Sequence, residues 1–242
     1  MPHSDIKLSF HIDAWHANAI GLSTQQDWQH WSQNQQWPTE GKAEVSAIPA
    51  MMRRRMSSLS KLAVQTSLEL LSEHHVDYLV FASRHGELAR SAKLIEDILA
   101  GEEASPMAFS QSVHNTAAGL ATIASKKPIP LTSIAAGDNT FQSAILEAWL
   151  HLASHPQDKV MVIDFDEPVP EVYHQYEQHN YRGYAIGLVL SAGNQISVAT
   201  STPQPDEAQL PQGLDFLAKY LAKKPQWSVC SQRQTWTWQR ND

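Results

Sequence analysis

The sequence predicts an α/β fold, a mainly parallel mixed sheet with helices on both faces. Three observations lead there. Two short continuous apolar runs, DYLVFA (77–82) and KVMVIDF (159–165), have the length and composition of strands buried on both sides. Segments with apolar residues at helical spacing alternate with such runs through the first two-thirds of the chain. Two further runs, 184–191 and 195–200, are then separated by Ala192-Gly193-Asn194, which is hairpin chemistry.

Taken in order, residues 7–15 alternate, with Leu8, Phe10 and Ile12 on one face, and read as a strand. Thr24 is placed to cap a helix over 27–33 that carries Trp28 and Trp31. Residues 33–47 are polar and read as a loop. A helix over 57–73 aligns Leu59, Leu62, Ala63, Thr66 and Leu70. The strand at 77–82 passes through Ser83-Arg84-His85-Gly86-Glu87 into a helix over 88–100. Ser105-Pro106 opens another segment, and 110–125 reads as one helix whose small residues let a neighbour approach closely. Residues 129–134 form a short buried strand and Ala135-Ala136-Gly137-Asp138 a tight turn. An amphipathic helix starts near Asn139, with Phe141, Ala144, Ile145, Ala148 and Leu152 in line. An acidic, proline-bearing loop follows the strand at 159–165. After the hairpin come a polar linker (202–211), a short helix (214–222) and a final strand (227–238).

Length and composition set bounds. The 242 residues suit one large domain or two small ones, and 42% hydrophobic content describes a folded chain. A net charge of −7 argues against a general nucleic-acid binder. The opening residues are polar and mixed, and no apolar run approaches the roughly 18 residues needed to span a bilayer. The expectation is a cytoplasmic protein with no cofactor.

Few patterns carry chemistry. Of twelve histidines only His151 and His155 have helical i,i+4 spacing, without the intervening Glu of a zinc-protease motif or a third ligand in sequence, so no metal is expected. The glycines form no phosphate-binding loop. Cys230, the one cysteine, reads as a packed apolar residue rather than a nucleophile. The strand-turn-helix at 129–139 is the arrangement that presents a nucleophile in many acyl-transfer enzymes, yet its turn holds neither Cys nor Ser. Asp138 reads as a helix cap with Asn139 in preference to a carboxylate nucleophile or base. Ser133 lies inside the strand. His114 and Asn115 read as a buried, hydrogen-bonded pair in preference to a catalytic histidine. Arg53, Arg54 and Arg55 read as a solvated helix start, or as a contact for an anionic carrier.

Several of these motifs together resemble a known family. Asn115, Ala118 and Gly119, followed by Pro130 to Ala148, resemble the N-terminal half of a β-ketoacyl synthase of the thiolase-like fold. Pro49-Ala50, Arg53-Arg54-Arg55-Met56-Ser57, Ser83-Arg84-His85-Gly86-Glu87, Ser105-Pro106 with Phe109, Ser112-Val113-His114-Asn115, Ala136-Gly137 and Asp166-Glu167-Pro168 resemble the short β-ketoacyl synthase-like N-terminal domain proteins. That group includes chain-length-factor subunits of aryl polyene biosynthesis. In the synthases the turn carries the acylated cysteine. Here Asp138 falls at that position, or Gly137 or Asn139 with a one-residue gap.

The resemblance implies a single half-length domain over 1–242, without the catalytic C-terminal half. It implies a non-catalytic partner that forms a heterodimer with a full-length β-ketoacyl synthase and works with acyl carrier protein. The strand before the elbow, Pro130, Leu131, Thr132, Ser133 and Ile134, would form the dimer seam. Phe141, Gln142 and Ile145 would face the partner and limit its acyl tunnel, since a packed wall accepts no extra methylene without strain. Arg53, Arg54 and Arg55 would meet the acidic carrier. The rival readings are a stand-alone acyl-transfer or hydrolytic enzyme using Asp138, Ser133 or Cys230, and a scaffold that binds carrier protein without shaping the product.

Overall fold

The computed structural model describes residues 7–177, 179–201, 210–231 and 234–241. Of the linker expected at 202–211, residues 202–209 lie outside the described residues. The described strands are β1 (Lys7–Ala19), β2 (Tyr78–Ala82), β3 (Leu131–Ile134), β4 (Lys159–Asp166), β5 (Tyr184–Ala192), β6 (Ile196–Ser201), β7 (Gln226–Cys230) and β8 (Thr235–Arg240). They form one sheet in the order β3-β2-β4-β5-β1-β6-β8-β7. The helices are α1 (Gln25–Asn34), α2 (Ala50–Arg53), α3 (Ser58–Glu73), α4 (Leu88–Leu99), α5 (Pro106–Ser110), α6 (Thr116–Ser125), α7 (Thr140–Ser154) and α8 (Gln212–Leu221).

Helices cover both faces, as expected. On one, α3 and α6 pack over Leu79, Phe81, Met161 and Ile163. Buried Ala117, Ala118 and Ala121 bring α6 close to α3. On the other, α7 and α8 enclose an aromatic core of Phe10, Phe141, Phe216, Trp227 and Trp238, with α1 adding Trp28 and Trp31. The α1 terminus is a capping box: Thr24 accepts from the Asp27 N–H, and the Asp27 carboxylate accepts from the Thr24 N–H.

The sheet is mixed, but its parallel share is small. Among the described strands only β3-β2-β4 pair in parallel, β2 joined to β3 through α4–α6 and β3 to β4 through α7. The other neighbours are antiparallel. The hairpin expected between 184–191 and 195–200 is also corrected. The apolar strand β1 lies between β5 and β6 and pairs with both. The connecting turn crosses β1 so closely that a Cβ on Gly193 would sit 1.5 Å from His11 Cδ2.

Two single elements become pairs. The helix expected over 110–125 is split into α5 and α6. Ser110 and Ser112 hydroxyls donate to the carbonyls of Met107 and Phe109, which competes with helix continuation, and His114 is drawn away to Ser83. The final strand is the antiparallel pair β7-β8, turned where the Ser231 N–H meets the Gln234 carbonyl.

Candidate functional site at the strand-turn-helix elbow

Strand β3 is an edge of the sheet, and its burial is intermediate throughout. It leads through exposed Ala135 and Ala136 into a short 3-10 turn, Gly137–Asn139, and then α7. The Thr140 hydroxyl fixes the turn, donating to the Gly137 carbonyl (2.7 Å) and accepting from the Ala136 N–H (2.9 Å). Asn139 accepts from Gln212 Nε2 (3.2 Å) and Trp236 Nε1 (3.1 Å), which ties the elbow to α8 and β8. Asp138 does not cap α7 by a side-chain hydrogen bond; its carboxylate is 3.7 Å from Arg84 Nη1.

Arg84, at the end of β2, is the hub of the site. Only 8% of its side chain is exposed. Its guanidinium donates to the Tyr181 hydroxyl (2.8 Å), meets His179 Nδ1 (2.9 Å) and Glu177 (3.4 Å), and lies 3.6 Å from Asp166 Oδ2. Asp166 also accepts from the Ser83 hydroxyl (2.8 Å) and the Arg84 backbone N–H (3.0 Å). Desolvation works against the Arg84 charge, but Tyr181 and the surrounding carboxylates outweigh it and hold Arg84 above its ordinary range. Burial pushes the Glu177 carboxyl up, and Arg84 with the His179 backbone N–H pulls it down, for a net lowering. His179 is lowered by burial and then by Arg84.

Behind the guanidinium lies a second acid. Asp164 is 2% exposed and accepts from the Tyr184 hydroxyl (2.8 Å). Gly213 permits this packing, since a Cβ there would fall 2.0 Å from Asp164 Oδ2. Burial, followed by Asp166, raises the Asp164 carboxyl to about 8; burial, followed by Glu87 and Asp166, raises Glu167 to about 7. A carboxyl raised above its unfolded value of 3.8 stabilises the fold fully below about pH 4 and loses that stabilisation as pH rises through about 8. Glu167 adds to the lower part of the window. We therefore expect Asp164→Asn to flatten the fall of stability with rising pH between about pH 4 and 8, by the order of 1 kcal/mol per pH unit, and most separably from Glu167 between pH 7 and 8. Urea midpoints across that range check it, and an unchanged slope contradicts it.

The space enclosed by Arg84, Asp138, Phe141, Asp164 and Tyr184 is about 10 Å³. That is the volume of roughly one water. The elbow is therefore backed by packed, charged and aromatic side chains rather than by a substrate cavity.

The expected site residues are distributed as follows. Phe141 (2%), Gln142 (0%) and Ile145 (0%), expected at the partner's tunnel, are buried within this chain. The stripe of Phe141, Ala144, Ile145 and Ala148 packs on the chain's own core, and Phe141 stacks on Phe216 and Trp238. Gln142 is buried with neither amide atom hydrogen-bonded among the described residues. His114 is half-buried and donates from Nε2 to the Ser83 carbonyl (2.8 Å). Asn115 is exposed at the start of α6, so the two do not form the buried pair expected. Ser133 shares an open hollow of about 420 Å³ with His114, Asn115, Leu131 and Thr132, but its Oγ makes no hydrogen bond among the described residues. Cys230 is buried (7%) with the Thr235 hydroxyl 3.7 Å from its sulfur. Arg53 is half-buried; Arg54 and Arg55 are exposed.

The segments holding Arg84 and Asp166 stand out in the sequence, but their joint role does not. The one available signal was a buried-strand end carrying Arg opposite another carrying two Asp.

Comparison with known proteins fits this geometry. Residues 28–239 match the family described as β-ketoacyl synthase, N-terminal domain, and the chain belongs to that family. Its thiolase-like fold and size are shared with a chain from the complex of the ketosynthase ApeO with its chain length factor ApeC from Xenorhabdus doucetiae. The match has a TM-score of 0.89 and 34% identity, and covers 96% of this chain and 100% of that one. Two more distant structures share the fold. The ishigamide ketosynthase/chain length factor has a TM-score of 0.61 at 14% identity, covering 83% of this chain and 68% of its own. A β-ketoacyl synthase from Burkholderia phymatum has 0.57 at 13%, covering 90% and 71%. Nothing among curated proteins matches the chain. No helix among the described residues is long and apolar enough to cross a membrane.

Proposed function

We propose that this chain is a non-catalytic partner, a chain length factor, for a full-length β-ketoacyl-ACP synthase in aryl polyene or fatty-acid-like biosynthesis. The filled elbow carries this reading. Where a nucleophile belongs stands Asp138, facing Arg84, and about 10 Å³ lies behind it. At the elbow an acyl thioester has no thiol to attack it, and the space behind Asp138 is too small to hold an acyl chain. Condensation of the acyl chain with a malonyl unit on acyl carrier protein belongs to the partner. The likeness to a whole chain from a ketosynthase–chain length factor complex supports the same reading.

The surface that meets the partner is the β3 edge, residues Pro130 to Ile134. An open strand edge presents unpaired backbone donors and acceptors. Exposed Val113 (44%) directly precedes His114 and Asn115, which line the hollow beside this edge with Leu131, Thr132 and Ser133. In this reading Phe141, Gln142 and Ile145 influence the partner's tunnel from behind, by fixing α7, and the exposed flank makes the direct contacts. Arg54 and Arg55 are placed to meet an acidic carrier protein. The subunit acts as a single domain, in the cytoplasm with the carrier-protein machinery.

Intact mass after incubation of the isolated chain with an acyl thioester tests the missing chemistry. No mass increase is expected. An adduct lost in Cys230→Ala or Asp138→Ala supports the stand-alone enzyme instead.

A further inference from the structure

We propose that His151, His155 and Asp158, at the far end of α7 from the elbow, form a binding site for one divalent transition-metal ion. One donor atom from each of the three lies within 4.8 Å of the others. The sequence supplies two donors one helical turn apart; the fold supplies the third. Helix α7 ends with the His155 N–H on the His151 carbonyl (2.8 Å), and the chain then turns so that the Asp158 N–H meets the His155 carbonyl (3.0 Å). This brings the Asp158 carboxylate back to His151, with Oδ2 2.8 Å from Nε2.

The His151 ring is held before any ion arrives. It stacks on Tyr78 at 4.3 Å and 6° between planes, and the Tyr78 hydroxyl donates to Glu147, one turn earlier on the same helix. His155 is exposed and stacks on His151 at 4.7 Å. Donors about 2.0–2.2 Å from a tetrahedral ion lie roughly 3.3–3.6 Å from one another. Closing the set takes rotation of the exposed His155 ring and a parting of His151 and Asp158 from 2.8 Å to that spacing, the ion replacing their hydrogen bond.

The donor set decides the class of ion. Two imidazole nitrogens and one carboxylate oxygen suit Zn²⁺, Co²⁺, Ni²⁺ and Cu²⁺; Mg²⁺ and Ca²⁺ prefer oxygen donors throughout. Three protein ligands at the surface leave a position open to water. The ligands span the end of α7 and the approach to β4, so an ion bound there ties the two elements together and raises stability by linkage.

The test uses the full chain without a histidine tag. Zn²⁺ titration followed by calorimetry is expected to give one ion per chain, and Co²⁺ the absorption of a low-symmetry site that Mg²⁺ does not displace. The variants are His155→Ala and Asp158→Asn, neither of which touches the core. Each is expected to weaken Zn²⁺ by the order of tenfold or more and to remove the Zn²⁺-dependent rise in melting temperature. Absence of saturable uptake by the wild-type chain overturns the proposal, as does uptake that survives both substitutions unchanged. Neither result bears on the pairing proposed above.

Discussion

Replacing Arg84 by Met is expected to destabilise the isolated chain by about 3–5 kcal/mol, the usual loss when one partner of a buried charge network is removed. Met keeps much of the length and the apolar stem, so the loss reports the charge rather than a void. The guanidinium faces Asp166, Glu177 and Asp138, whose side chains are 2%, 11% and 33% exposed. Without it, Asp166 loses the cation that faces it in the interior, and Glu177, His179 and Tyr181 each lose a contact. Acid should restore part of the loss, because protonated carboxyls no longer need the cation. Arg84→Lys is expected to fall between, since a single ammonium cannot reach the groups that the planar guanidinium spans. Thermal and urea unfolding measure this; a loss below about 1 kcal/mol for Arg84→Met would show that the network is not what holds the elbow.

The second large effect falls on the β3 edge. The ladder to β2 runs through the Leu79 N–H on the Pro130 carbonyl and the Ser83 N–H on the Ile134 carbonyl. By the alternation of a strand, the N–H and C=O of Leu131 and Ser133 then point away from β2. Ser133→Pro removes one outward donor and places a ring where a partner strand would lie, while leaving the ladder to β2 intact. We expect pairing with the synthase to weaken by about 2–3 kcal/mol, on the order of 100-fold, with little change in the melting temperature of the chain alone. Thr132→Pro, whose N–H points inward, should instead damage the isolated fold. If Ser133→Pro pairs as well as wild type, β3 is not the seam.

Much of this was legible in the sequence because it is local. Apolar runs at 77–82 and 159–165, the Ser105-Pro106 start and the small-residue stripe of α6 each declare themselves within a few residues. The elbow is legible for the same reason, as is the missing thiol. Placement between distant elements was not. Nothing near residues 7–19 says that this strand enters between β5 and β6 and becomes central. The helical stripe of Phe141 and Ile145 is real, but periodicity does not say whether a stripe meets its own sheet or a partner. Arg84 gathers groups from the elbow, the end of β4 and the loop after it, a set that only the fold assembles. Asp158 is hidden likewise, because a turn beyond a helix end has no period to read.

The most direct measurement is the mass of the species formed when the purified chain is mixed with a full-length aryl polyene ketosynthase, by size-exclusion chromatography with light scattering. A one-to-one complex is expected for wild type, with Ser133→Pro pairing on the order of 100-fold more weakly. Two species that elute separately, with the isolated chain itself taking up an acyl group from thioester, would contradict it.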